Sequence, residues 1–249
     1  MNLHLTLMLI VSVTLGLSSG AAFSAGPKYA PETKPLSSHN AYFKSADSTD
    51  YWELAPYYLP QHNAKACSVA SVTMVLNALR SDRKLTSSDE LFTSEKLLKL
   101  EPAFAKATGT LGKGMTLDEL QKNTQKVLEN VFPGHYLVEI YRFNILNTIE
   151  PGKEFARLKD LLTQNEKDPK NIMIANFLQG TVTGDPEGNV GHISPIAAYD
   201  SKADQVLIFD TDRQYYEPYW VSSAKLLEAM NSVDPITKKA RGLIWIRVK

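Results

Sequence analysis

The first clear hydrophobic period in the chain begins at Cys67. Val69, Val72, Leu76 and Leu79 recur at helical spacing and predict a helix that carries Cys67 in its first turn and runs to about Arg80. A second helix is predicted over about Ser88 to Leu100. Thr116 followed by Glu119 is a capping-box pattern ahead of Leu117, Leu120, Val127 and Leu128, so a third helix ends before Pro133 and Gly134. A fourth covers about Glu154 to Gln164, and Ser222 to Met230 also reads as helical. The second half is dominated by short runs rich in β-branched and aromatic residues: Tyr136 to Tyr141, Ile172 to Phe177, Ser194 to Tyr199, Gln205 to Phe209 and Gly242 to Val248. Helices gathered early and strands gathered late predict an α+β domain, with one helix packed on a mostly antiparallel sheet.

Upstream of that domain the pattern changes twice. Residues 1–25 contain no Asp, Glu, Lys or Arg, and Leu3 to Leu17 is mostly apolar before the small residues Ser18 to Ala22. That run is short for a bilayer of about 30 Å, so it reads as a secretory signal, with an uncleaved anchor as the alternative. Export to the periplasm or beyond follows as an expectation. Residues 26–50 are rich in Pro, Ser, Lys and Ala without a hydrophobic period and predict an extended arm, leaving 51–249 as the folded domain.

Charge narrows the function. In 249 residues, 27 Lys plus Arg balance 27 Asp plus Glu, which gives no broad electrostatic reason to hold nucleic acid or an anionic membrane. The single cysteine excludes an internal disulfide and any zinc site built from several thiolates, and no metal ligand set is assigned. In an oxidising compartment an unpaired cysteine is either inert core or the reagent.

Cys67 at the start of a helix has the position a nucleophile needs, because unpaired N–H groups and the positive end of the macrodipole stabilise a thiolate there. Lys65 lies two residues before it. A small buried hydrophobe is the alternative. Of five histidines, His4 departs with the signal, His39 lies in the arm, His135 follows a turn, and His62 sits across the turn that opens the helix. His192 follows the small, glycine-rich Gly188-Asn189-Val190-Gly191 and precedes a strand, so a loop there can present the imidazole at a cleft edge. In a hairpin of the two central strands Asp210 would lie at the same end and orient the ring, with Asp212 as a rival. Gln61, six residues before the thiol, can donate an amide N–H to an oxyanion alongside the Cys67 backbone N–H, or be a solvated loop residue.

These blocks resemble the phytochelatin synthases, a branch of the papain-like cysteine peptidases. The likeness runs through Gln61 to Leu79, Gly191 to Tyr199, Val206 to Asp210, Pro218-Tyr219-Trp220, Leu226 to Met230, and Asp234 with Arg241-Gly242. It implies a papain-like fold with Cys67 as nucleophile, His192 as general base and acid, Asp210 as orienting carboxylate and Gln61 as oxyanion donor. It also implies glutathione, γ-Glu-Cys-Gly, as substrate: the Cys-Gly bond is cleaved, γ-Glu-Cys is held as a thioester, and water or a second glutathione takes the acyl group. Asp234 and Arg241 match positions that recognise the γ-glutamyl zwitterion, Gly191 lines the same site, and Arg213 is a weaker candidate for that pocket. Plant and yeast members continue into a cysteine-rich region linked to metal sensing, so with one cysteine the expectation is a short form that mainly hydrolyses glutathione. No covalently bound cofactor is expected; cadmium or zinc would enter as a glutathione thiolate complex. A homodimer is compatible with the reading. The rivals are a papain-like peptidase or amidase acting on envelope peptides and an exported binding module with a structural cysteine.

Overall fold

A computed structural model describes residues 28–80, 86–145 and 150–249. The predicted signal, with His4, lies outside the described residues. The elements run α1 (Thr49–Leu54), α2 (Cys67–Ala78), α3 (Ser94–Leu100), α4 (Pro102–Thr108), α5 (Leu117–Val131), α6 (Pro151–Asn165), α7 (Gln179–Thr183) and α8 (Ser223–Met230). Between and around them lie β1 (Lys34–Pro35), β2 (Tyr136–Tyr141), β3 (Ile172–Leu178), β4 (Gly191–Asp200), β5 (Gln205–Ile208), β6 (Tyr219–Ser222) and β7 (Gly242–Val248). The strands form one sheet in the order β1-β6-β5-β4-β3-β7-β2, with every neighbouring pair antiparallel.

The α2 helix packs on an antiparallel sheet as expected, and the sheet is covered on its other face as well. Along β3 the side chains alternate: Ile172 and Ile174 join a core with α2, α3, α4 and α5, whereas Met173, Ala175 and Phe177 join a core with α6 and α8. A central strand that meets apolar layers on both sides has no polar face to expose, and β3 reads as a nearly continuous apolar run. α2 is buried along its whole length. Its polar side chains Ser68, Ser71, Thr73 and Asn77 are buried with the apolar ones, so the helix lies in the core rather than on a surface. Ser71 Oγ donates to the Ile193 carbonyl at 3.1 Å and ties α2 to β4 one residue from His192.

Several elements begin elsewhere than the period predicts. α3 starts at Ser94 rather than Ser88, because Thr93 caps it by accepting the Lys96 N–H. Just upstream, Asp89 closes a turn by accepting from Thr86. The capping box at Thr116 and Glu119 is present in both directions. β4 starts at Gly191, three residues before the predicted Ser194, so His192 is a strand residue paired with Phe177 and not a loop residue. In the predicted arm, Lys34 pairs with Trp220 of β6, and the Trp220 indole N–H donates to the His39 carbonyl at 2.8 Å.

Beside the arm, two carboxyls lie in the low-dielectric interior. Asp50 is fully buried and accepts from Asn165, and burial together with Glu166 holds it well above the usual carboxylate range. Glu166 accepts from the Tyr199 N–H at 2.8 Å and the Tyr42 hydroxyl at 3.1 Å, yet burial still pushes it up to about 7. Between the ordinary value near 4.5 and about 7, the folded chain retains a Glu166 proton that the unfolded chain has released. Stability therefore falls as pH rises through that window, by at most about 3 kcal/mol from this residue. Urea unfolding at pH 5 and pH 7.5 checks this: Glu166→Gln is expected to flatten the difference, and an unchanged difference contradicts the assignment.

Candidate active site

Cys67 is the first residue of α2. Ala66 precedes it at the cap and supplies no side-chain acceptor, so no side chain competes for the first-turn N–H groups around the thiol. An Asx turn leads in, with Asn63 Oδ1 accepting the Lys65 N–H at 2.8 Å. Lys65 itself turns to the Thr110 carbonyl, 2.9 Å away. Ser71 lies one turn along from Cys67 on the same helix face, so its bond to Ile193 also aims the thiol at the start of β4. There the Cys67 sulfur lies near enough to the His192 imidazole to favour its charged form.

His192 is 4% exposed, and its Nε2 stands 2.8 Å from Asp210 Oδ1. A carboxylate only accepts, so Nε2 carries the proton and Nδ1 is left for the sulfur. Phe177 meets the ring edge-on with centroids 5.6 Å apart. Burial pulls the imidazolium down, but the Asp210 carboxylate and the Cys67 sulfur push harder in the other direction and hold it above its ordinary range. Asp210 responds in kind. Burial raises it, yet His192, the Asp212 N–H and the Tyr219 hydroxyl together hold it below the usual carboxylate range. A charged imidazolium at neutral pH is the partner that a nucleophilic thiolate requires. Asp212 is not the orienting group, since its N–H donates to Asp210 at 2.8 Å while the ring nitrogen bonds Asp210.

Gln61 is held by the residue after Asp210. Its N–H donates to the Thr211 carbonyl at 2.8 Å, and its Oε1 accepts from the Thr211 hydroxyl at 3.3 Å. With the amide oxygen occupied, Nε2 is the end free to donate.

Cys67, Asp234, Arg241 and Gly191 line one cleft of about 660 Å³, together with Lys65, Lys113 and Asn176. Arg241 is 6% exposed; its Nη1 donates to Asn176 Oδ1 at 3.1 Å and pairs with Asp234 Oδ2 at 3.3 Å. Asp234 Oδ1 is occupied by the Ile236 and Thr237 N–H groups. The Arg241 Nε is buried and has no partner among the described residues. A donor of that kind is costly to bury unless something else completes it. Gly191 is needed for clearance: a Cβ there would lie 2.3 Å from Arg241 Nη1.

The structure does not bring every candidate together. Arg213 is exposed and does not line the cleft; its guanidinium lies 4.8 Å over the Tyr58 ring, outside the γ-glutamyl pocket proposed for it. His39, His62 and His135 are exposed and take no part. Conversely, Asn176, Tyr219, Gln179 and Lys113 were not read as site residues. Asn176 offered a signal, as a polar residue inside an otherwise apolar strand. Among the described residues, no group of three or more His, Cys, Asp or Glu could hold a metal ion, and no helix is long and apolar enough to cross a membrane.

A thiol at a helix start, an imidazole near it and a carboxylate behind the ring are the arrangement that cysteine-dependent acyl transfer uses, here on an α+β frame. The phytochelatin synthase profile matches residues 34–243, and the chain belongs to that family. It is 30% identical to glutathione gamma-glutamylcysteinyltransferase 1 of Arabidopsis thaliana over 198 residues, which cover 79% of this chain and 36% of that one. Glutathione gamma-glutamylcysteinyltransferase 3 of Lotus japonicus is 29% identical over 79% of this chain and 37% of its own. The enzyme of that name in Schizosaccharomyces pombe is 24% identical over 79% of this chain and 43% of its own. The chain thus spans between 36% and 43% of the length of these relatives. A solved C39-like peptidase from Bacillus anthracis superposes with a TM-score of 0.44 at 13% identity, over 77% of this chain and 95% of that one.

The pairing of thiol and imidazole predicts a reactivity difference. Cys67 is expected to be alkylated by iodoacetamide at pH 6 about tenfold or more faster in the wild type than in His192→Ala. Equal rates would show that the ring does not activate the sulfur. For the cleft, Gly191→Ala is expected to leave that alkylation rate within about twofold while displacing Arg241, which a crystal structure of the variant would reveal.

Proposed function

We propose that this protein cleaves the Cys-Gly bond of glutathione through a γ-Glu-Cys thioester on Cys67, with hydrolysis as the main outcome and transfer to a second glutathione as the minor one. The observation that carries this reading is the buried Asp234-Arg241 pair in the cleft that contains the thiol. A γ-glutamyl end carries a free ammonium and a free α-carboxylate. A carboxylate and a forked guanidinium set side by side suit that zwitterion, and the unpartnered Arg241 Nε offers a further donor. Glutathione has two carboxylates and one ammonium, and Lys65 and Lys113 along the same cleft complement the excess negative charge. The names of the relatives point to the same substrate.

The chemistry runs through this chain's own atoms. The Cys67 thiolate attacks the carbonyl carbon of the Cys-Gly amide, and the developing oxyanion is met by the Cys67 N–H and Gln61 Nε2. His192 passes its Nδ1 proton to the glycine nitrogen as the C–N bond breaks, which releases glycine and leaves the thioester. Neutral His192 then takes a proton from water, or from the amine of a second glutathione, as that nucleophile attacks the thioester carbonyl. The carbon–sulfur bond breaks and γ-Glu-Cys, or the lengthened peptide, leaves. Asp210 stays ionised throughout and holds the ring. A cadmium or zinc ion would arrive bound to glutathione sulfur, as part of the substrate. The reading includes export of the mature protein, on the strength of the apolar start of the chain.

Glycine release from glutathione by the purified mature protein tests the proposal. A burst of glycine ahead of steady turnover is expected, and Cys67→Ala is expected to abolish it. Full activity in Cys67→Ala, or equal turnover of an α-linked tripeptide of the same residues, would defeat the reading; the second result would favour a general peptidase. Asp234→Ala is expected to lower kcat/KM for glutathione by about a hundredfold while leaving Cys67 alkylation within about threefold.

A further inference from the structure

The catalytic carboxylate is gripped on its far side by a residue the mechanism above does not use. Asp210 Oδ1 serves His192 and the Asp212 N–H. Its other oxygen, Oδ2, accepts the Tyr219 hydroxyl at 2.7 Å and Gln179 Nε2 at 3.3 Å. Tyr219 opens β6, opposite Ile208 at the end of β5, so the register of two antiparallel strands delivers the phenol to the carboxylate two residues beyond. The phenol is fully buried, and burial next to Asp210 holds it well above the ordinary tyrosine range. It stays protonated wherever the enzyme works, and is therefore always a donor.

The groups around this contact come from several elements. His192 faces it from β4, Asp212 follows Asp210, and Tyr58 comes from the turn after α1 with Arg213 over its ring. On the outer side, Tyr29 and Tyr216 pack on Tyr219 with centroids 6.0 and 6.3 Å away. Tyr29 belongs to the N-terminal arm, which is fixed by the Ala30 N–H to the Thr183 carbonyl at 2.5 Å and by Lys28 lying 4.3 Å over Tyr216. The arm thus helps bury the Tyr219 ring.

We infer that Tyr219 is a positioning residue of the active site: its hydroxyl fixes the rotation of the Asp210 carboxylate and draws negative charge toward Oδ2, away from the oxygen that faces His192. A carboxylate tied at one oxygen can still rotate about its last torsion, which is broad and two-fold. Donors on both oxygens remove that freedom. Each donor also takes up charge that would otherwise act on the ring, so losing the hydroxyl strengthens the hold of Asp210 on the imidazolium.

Two readouts on Tyr219→Phe test this, and only one of them rests on the glutathione reading. Alkylation of Cys67 by iodoacetate needs a thiolate and is favoured by an imidazolium, so its rate follows a bell in pH. Tyr219→Phe is expected to move the alkaline limb up by about half a pH unit. It is also expected to lower kcat for glycine release about tenfold, with KM within about twofold. A folded Tyr219→Phe protein whose alkaline limb and kcat both match the wild type would overturn the proposal. If that variant does not fold, 3-fluorotyrosine placed at 219 keeps the shape and donates more strongly. The limb is then expected to move down, and an unmoved limb would overturn the proposal. A Tyr219-sensitive alkylation bell in a protein that releases no glycine would support the positioning role and defeat the glutathione reading alone.

Discussion

The hydrogen bond between His192 and Asp210 is the contact around which this molecule is organised. Both groups are withdrawn from water, and a buried charge is tolerated only when every lone pair and proton around it is used. That requirement explains why so much of the sheet converges on one end. β4 carries the imidazole, β5 leads into the carboxylate, β6 supplies the phenol, and α7 follows β3 with the Gln179 amide. The Asp212 N–H fills the remaining position on Oδ1. Losing one donor would leave a charged oxygen with half its hydrogen bonds, so the strand register and the chemistry are enforced by the same desolvation penalty.

The thiol is brought to this pair by a separate constraint. α2 is buried on every side and so is central, and the side-chain bond from Ser71 to β4 fixes how far along the strand it lies. The cleft beside it repeats the logic of the triad with opposite partners. Arg241 is buried against Asp234 and Asn176, and it approaches so close to the backbone at Gly191 that a Cβ there would have to displace the guanidinium. One end of the site activates sulfur and the other presents a rigid charged fork.

Much of this was legible in the sequence where local rules are strong. The capping box at Thr116 starts α5 as expected, β2 and β7 have the predicted limits, and Cys67 opens its helix. His192 and Asp210 meet because β4 and β5 form the hairpin that the spacing suggests. What escaped is what tertiary contact decides. β6 is four residues long behind Pro218, and β1 is two, so neither has room for a period. α7 is a five-residue turn containing Gly180, held by packing rather than propensity. The two-sided burial of the sheet was hidden because alternation along β3 joins apolar to apolar. Arg213 was misplaced because sequence proximity to Asp210 says nothing of direction, and stacking on Tyr58 carries it away from the cleft. Tyr219 could not be singled out before the register of β6 was known.

The central claim is that one sulfur, paired with one imidazole, carries an acyl group. Intact-protein mass spectrometry of the purified protein, quenched in acid within seconds of mixing with glutathione, tests it most directly. The account predicts a fraction of the protein heavier by one γ-Glu-Cys acyl group, mapped to the Cys67 peptide, released by neutral hydroxylamine and absent from Cys67→Ser. Glycine production without any such adduct under rapid quench, or an adduct elsewhere in the chain, would contradict it.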